Sequence, residues 1–218
     1  NVNNVIKTGF NELDSLLNGG IKQNSLNLIC SKSGMGKTTF ALNIINSNAN
    51  NKSIAYFNFE LSQNKVFEKM NKLFNTDYSN KNIFVYEYDY NKTIEDIINK
   101  CLELKKSNTG LDLVIIDYID LIQCKINTVR KKEFNSYILN KLYVLAQEYD
   151  ISIIAVGLLQ RTNKEITIND LCLNETTLNN LENIFYLCNN YKGNDVDLEI
   201  FKNNKSLPIK TTINLKLF

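Results

Sequence analysis

Short apolar runs alternate with amphipathic stretches along most of the chain. Leu26–Cys30 predicts a buried strand, and a glycine-bearing turn after it leads into a helix from about Lys37 to Ser47. Ser53–Phe59 interleaves Ile54, Tyr56 and Asn58 with Ala55, Phe57 and Phe59 and predicts a second strand. A helix near Gln63–Phe74, a strand at Ile83–Tyr86 and a helix near Thr93–Lys105 follow. Leu111–Ile116 is apolar and β-branched and ends in Asp117. Apolar residues at 134, 138, 142, 145 and 146 stripe one face of a helix over Phe134–Glu148, and Ile151–Val156 is the next buried strand. The tail reads as three strands: Ile184–Cys188, Val196–Phe201 and Thr211–Phe218.

Strand and helix in alternation predict βαβ units and a mainly parallel sheet with helices on both faces. Tail strands without intervening helices predict antiparallel pairing at the C-terminal end. The expected fold class is α/β, and 218 residues suit one core. No repeat or low-complexity linker divides the chain.

Composition narrows the chemistry. With 44% hydrophobic and 22% charged residues, the chain is neither disordered nor fibrous. No apolar run approaches the ~20 residues that a membrane-spanning helix needs. Asn1–Lys7 is polar, not a charged-then-apolar leader. The expectation is an intracellular, cytoplasmic protein with no membrane contact, or an organellar one where a leader was excised. Histidine is absent, so imidazole serves neither as base nor as metal ligand. The five cysteines, at 30, 101, 124, 172 and 188, form no CxxC pair and read as buried free thiols. A net charge of +2 announces no polyanionic partner, and of 25 basic residues only Arg130 and Arg161 are arginine.

The sharpest motif is Ser31-Lys32-Ser33-Gly34-Met35-Gly36-Lys37-Thr38, placed between a predicted strand and a predicted helix. That context is what a phosphate-binding loop needs. Amides of the turn surround a phosphate, and the positive end of the helix dipole points at it. Gly34 and Gly36 let the backbone approach, Lys37 supplies a point charge, and Thr38 offers a hydroxyl to Mg²⁺. Ser31 stands where the usual first glycine would be. Asp117, at the end of an apolar strand next to the loop's strand, is a candidate carboxylate for Mg²⁺, with Asp120 as the neighbouring alternative. Glu60, after Tyr56-Phe57-Asn58-Phe59, suits either a water-positioning base or an acid at the start of the next helix.

These segments resemble a known family. Thr8-Gly9-Phe10-Asn11-Glu12-Leu13-Asp14 followed by Leu17-Asn18-Gly19-Gly20-Ile21 is similar to the opening of RecA-like ATPases. Gly34 through Asn43, Phe59-Glu60-Leu61-Ser62 and Ile115-Ile116-Asp117-Tyr118-Ile119-Asp120-Leu121-Ile122 resemble the motor domain of replicative DNA helicases of the DnaB type. The likeness runs from about Val5 to Phe218. Recombination and clock relatives, of the RadA and KaiC types, share the opening but fit the later stretches less well. The resemblance implies a single RecA-like ATPase domain over residues 1–218, without the family's N-terminal collar and linker helix. It implies ATP and Mg²⁺ as cofactors. Ser33, Gly34, Met35, Gly36, Lys37, Thr38 and Thr39 would hold the nucleotide, Thr38 and Asp117 the metal, and Glu60 would serve with Lys37 in catalysis.

It also implies hydrolysis coupled to movement on single-stranded DNA by a hexameric ring, with the isolated domain monomeric. Lys125, Arg130, Lys131 and Lys132 form a basic loop suited to DNA, with Arg161 beyond it, although a solvated lysine-rich loop reads the same way. Two departures stand out. Leu158 occupies the position where the family carries a γ-phosphate-sensing Gln, with Gln160 two residues on. Lys202-Asn203-Asn204 keeps the family's inter-subunit Lys and lacks its Arg finger. The second reading is therefore a nucleotide-binding module that partners a replication protein without helicase activity.

Overall fold

A computed structural model describes residues 5–89, 91–123, 131–158, 166–189, 195–202 and 209–215. The chain opens with β1 (Val5–Ile6), α1 (Asn11–Leu16) and β2 (Ile21–Lys22), and β2 pairs antiparallel with β1. Gly20, at φ +143°, precedes β2 where an added Cβ would lie 2.6 Å from the Ile6 carbonyl oxygen, so this close pairing requires glycine. Then come β3 (Leu26–Ser31), α2 (Lys37–Asn48), β4 (Ile54–Asn58), α3 (Gln63–Phe74), β5 (Ile83–Glu87), α4 (Ile94–Lys106) and β6 (Leu113–Asp117). The remainder is α5 (Lys131–Tyr149), β7 (Ser152–Leu158), α6 (Glu175–Asn180), β8 (Leu181–Asn189), β9 (Asp195–Lys202) and β10 (Ile209–Asn214).

Eight strands form one sheet in the order β10-β9-β8-β3-β7-β6-β4-β5. All pairs from β8 across to β5 are parallel, while β8–β9 and β9–β10 are antiparallel. The mixed α/β sheet matches the expected class, with one refinement. The first tail strand, β8, is antiparallel to β9 but parallel to β3 on its other side. The crossover that permits this contains α6 and a 3-10 turn over Ile168–Leu171. Both are short, and α6 (Glu-Thr-Thr-Leu-Asn-Asn) has a single apolar residue, so no apolar stripe marks them as helical.

Period-two alternation divides the strand residues between two cores. Leu28, Phe57, Val114, Ile116, Ile153 and Ala155 pack with α4 and α5 on one face. Ile29, Tyr56, Leu113, Ile115, Ile154 and Val156 pack with α2 and α3 on the other. Side-chain caps start α3 and α4. Ser62 accepts from the Lys65 amide at the head of α3, and Thr93 and Asp96 form a reciprocal capping box on α4. At the far end of α2, Asn48 grips β1's continuation. Its amide donates to the Lys7 carbonyl at 2.8 Å, and its oxygen accepts the Lys7 N–H at 3.0 Å.

Lys131 and Lys132 correct the expected loop: they begin α5 three residues before its apolar stripe, because a first turn without apolar residues carries no hydrophobic signal. Among the cysteines, Cys30 and Cys101 are buried as expected, Cys188 is half-buried, Cys172 is instead exposed in a left-handed turn at φ 51°, and Cys124 lies outside the described residues. Among the described residues, no helix is long and apolar enough to cross a membrane.

Candidate nucleotide-binding site

The turn between β3 and α2 has the conformation its glycines predict. Gly34 (φ 79°) and Gly36 (φ 89°) are both left-handed, and Gly36 is the N-cap of α2 with no side chain capping it. The first amides of α2 therefore have no capping side chain. A Cβ built on Gly34 meets open space, so its left-handed backbone, and not crowding, is what favours glycine there. Ser33 and Gly34 are exposed, Thr39 is buried, and Met35 packs against the core shared with α2.

Lys37 is only 3% exposed. Its ammonium donates to the Ser31 hydroxyl at 2.9 Å, the Lys32 carbonyl at 3.2 Å and the Ser31 carbonyl at 3.5 Å. It also lies 5.2 Å from the centre of the Tyr118 ring. Burial pulls its pKa below the ordinary lysine value, while Asp117 opposes the shift. Ser31, the departure from the glycine pattern, is thus the direct partner of the site's key cation. Its own hydroxyl donates onward to the Lys32 carbonyl at 2.6 Å.

Asp117 ends β6 at the same carboxyl edge of the sheet and is 2% exposed. It does not neighbour the loop strand as expected: β7 lies between β3 and β6, and Leu158 closes β7 opposite Ser31. Thr38, at the head of α2, reaches Asp117 directly across this gap. Asp117 Oδ2 accepts from Thr38 Oγ1 and from the Tyr56 hydroxyl, each at 2.8 Å. Oδ1 is buried without a hydrogen-bond partner. Burial raises the Asp117 pKa to about 6, against the lowering effect of those two hydrogen bonds. Of the two candidate acids, Asp117 is the one bonded to Thr38. Asp120 sits in a 3-10 turn over Ile119–Leu121 and lines a small cavity with Cys30, Asn135 and Gly157.

The donor set fits a hard dication. Thr38 directs its proton to Asp117, its oxygen lies beside the Tyr118 phenol, and Asp117 Oδ1 is an acceptor that lacks a donor. Glu60 follows β4, where Asn58 is level with Asp117 and the Phe59 N–H donates to the Asp117 carbonyl at 3.0 Å. The Glu60 N–H donates to Asn58 Oδ1 at 3.1 Å, and Asn58 in turn donates to the Leu61 carbonyl. Helix α3 starts after Glu60, with Ser62 as its cap, so Glu60 lies outside the first helical turn. Its exposed carboxylate is close enough to influence both Lys37 and Asp117.

Three contributors escaped the motif reading: Tyr56, Tyr118 and the hydroxyl of Ser31. A buried tyrosine in an apolar strand was the available signal for Tyr56, because its hydroxyl needs a partner. Lys202 ends β9 and donates to the carbonyls of Leu178 and, at 3.0 Å, Asn179 in α6. Lys125, Arg130 and Arg161, together with Gln160, Asn203 and Asn204, lie outside the described residues.

A parallel sheet with a glycine loop, a buried lysine, and a threonine hydrogen-bonded to a strand-end aspartate defines the P-loop nucleotide-binding class. The chain belongs to the DnaB-like helicase C terminal domain family, whose pattern matches residues 5–75 and 67–170. Among curated relatives, the replicative DNA helicase DnaB of Geobacillus stearothermophilus is 30% identical over 187 residues, covering 72% of this chain and 40% of the relative. The replicative DNA helicase DnaC of Bacillus subtilis is 28% identical over 199 residues, covering 76% of this chain and 43% of the relative. The chain thus spans less than half the length of these relatives.

Two solved structures share the fold. One, an isolated ATPase domain, superposes with a TM-score of 0.80 at 21% identity, over 97% of this chain and 88% of that one. A DnaB-like replicative helicase, described with its interactions with primase, gives 0.80 at 23% identity, over 97% and 62%.

Ser31→Ala tests a competition for Lys37. The Ser31 hydroxyl accepts from the ammonium at 2.9 Å, and a bound phosphate would compete for the same donor. The variant is expected to bind nucleotide about fivefold more tightly, from the removal of one competing charge-assisted hydrogen bond. Titration calorimetry with ADP checks this, and weaker binding would mean that Ser31 also supports Lys37 in the filled state.

Proposed function

We propose that this chain binds ATP with Mg²⁺ and hydrolyses it as the motor domain of a DnaB-type helicase acting on single-stranded DNA. The observation that carries this reading is the Thr38–Asp117 hydrogen bond beside buried Lys37. Loop amides from Ser33 to Thr39 and the head of α2 bind the phosphates, and Lys37 leaves its loop acceptors for the β- and γ-phosphate oxygens. Bound Mg²⁺ would neutralise charge developing on the phosphate oxygens, held by Thr38 and, through water, by Asp117. Glu60 orients the attacking water and accepts its proton, the role left to a carboxylate in a chain without histidine. Low solvent exposure around Lys37 and Asp117 strengthens each of these interactions.

DNA contact is assigned to Lys125, Arg130, Lys131, Lys132 and Arg161. The ring is assigned to copies of this chain, with Lys202 on its inter-subunit side. The family membership supports both assignments. Steady-state ATP hydrolysis with and without single-stranded DNA, with Lys37→Ala as the blank, tests the proposal. The expected result is turnover that disappears in the variant and rises with DNA. Tight ATP binding with turnover no higher than that of the variant in both conditions would make the chain a nucleotide-gated binding module instead.

A further inference from the structure

We propose that Tyr56 is a positioning residue for the metal side of the site, acting through Asp117; the inference rests on the nucleotide-site reading above. Tyr56 stands on β4 level with Ile115, two residues before Asp117 on β6, and its ring belongs to the same core as Ile115. Period-two alternation puts Asp117 on that face as well. The long phenol ring spans the two-residue offset, and its hydroxyl donates to Asp117 Oδ2 at 2.8 Å.

The ring has no exposed surface, so packing alone would be met as well by phenylalanine. The hydroxyl adds a second donor to an oxygen that already accepts from Thr38 at 2.8 Å. Two donors from different elements, β4 and α2, fix the plane of the carboxyl group and leave Oδ1 as its one unpartnered acceptor. Oδ1, buried and unpartnered, is then the oxygen that a water of the shell of a cation held by Thr38 would have to reach. Thr38 sits at the phosphate-binding end of α2, whereas Tyr56 lies within the sheet. The Tyr56 contact therefore holds the carboxylate in register when the loop changes occupancy.

The test reads metal dependence instead of turnover. Binding of a fluorescent ADP analogue is titrated for wild type and Tyr56→Phe, first with chelator and then across Mg²⁺ concentrations. The expected result is Mg²⁺-free affinity within about twofold of wild type. The Mg²⁺ concentration for half-maximal effect should rise about tenfold, as for loss of an outer-shell partner. Tyr56→Met, which also lacks the hydroxyl but fills the space with a flexible chain, must give the same split. In an Asp117→Asn background, Tyr56→Phe must change nothing further, since its route of action is gone.

An unchanged Mg²⁺ dependence, or an equal loss of affinity with and without Mg²⁺, would leave Tyr56 a packing residue and overturn the inference alone. Wild type that binds no ADP under any condition would overturn the nucleotide-site reading and this inference with it.

Discussion

Glu60→Gln is expected to slow ATP turnover by about 10²- to 10⁴-fold while nucleotide affinity stays within about twofold, as for loss of a general base. The amide keeps the size of the side chain and can still hold a water molecule, but it cannot take that water's proton. The backbone around Glu60 does not depend on the carboxylate. Its N–H is held by Asn58, and Ser62 caps α3 independently. The substitution therefore separates chemistry from folding. Single-turnover hydrolysis together with a binding isotherm gives both numbers. A parallel loss of affinity and rate would mean that Glu60 contributes only its field at the phosphates.

Asp117→Asn is expected to move stability and metal use in opposite directions. The folded protein raises this carboxyl from 3.8 to about 6, so the fold favours the protonated form over the ionised one. Below 3.8 the group is neutral in both states and carries no penalty. As pH rises through about 6 the ionised form must be held inside the fold, and stability is lost. Two pKa units correspond to about 2–3 kcal/mol at neutral pH. Asparagine removes that penalty and keeps groups able to bond Tyr56 and Thr38. The nucleotide-free variant should melt about 5 °C or more above wild type at pH 7.5, and the gap should close as pH falls towards 4. The Mg²⁺ dependence of nucleotide binding should be lost in the same variant. Equal melting temperatures across that range would show that the buried carboxylate is compensated by another group.

The phosphate loop was legible because its chemistry depends on consecutive residues: two glycines in left-handed conformations, then Lys37 and Thr38 opening a helix. Central strands β3, β4 and β6 were legible because each is buried on both faces, and β9 because its apolar residues alternate with polar ones. Neighbour relations were not, since nothing in Leu113–Asp117 or Ile151–Val156 states that β7 will slip between β3 and β6. The same blindness hid Tyr56, whose role exists only once β4 lies beside β6 and the phenol can reach two residues ahead. Short elements were lost for a different reason. Strands β1 and β2 are two residues each, and α6 shows no periodic stripe, so they are defined by tertiary contact and not by local pattern. Lys131 and Lys132 read as loop because a polar helical turn and a basic loop have the same composition.

The clasp between Asn48 and Lys7 makes α2 a lever with a load at each end. One end presents amides to phosphate; the other, about 18 Å away for twelve residues, grips the lead-in strand through paired hydrogen bonds that mimic a step of β-ladder. One buried helix therefore ties the glycine turn and the backbone at Lys7 into a single close-packed unit, so the lead-in segment and the phosphate loop share one support.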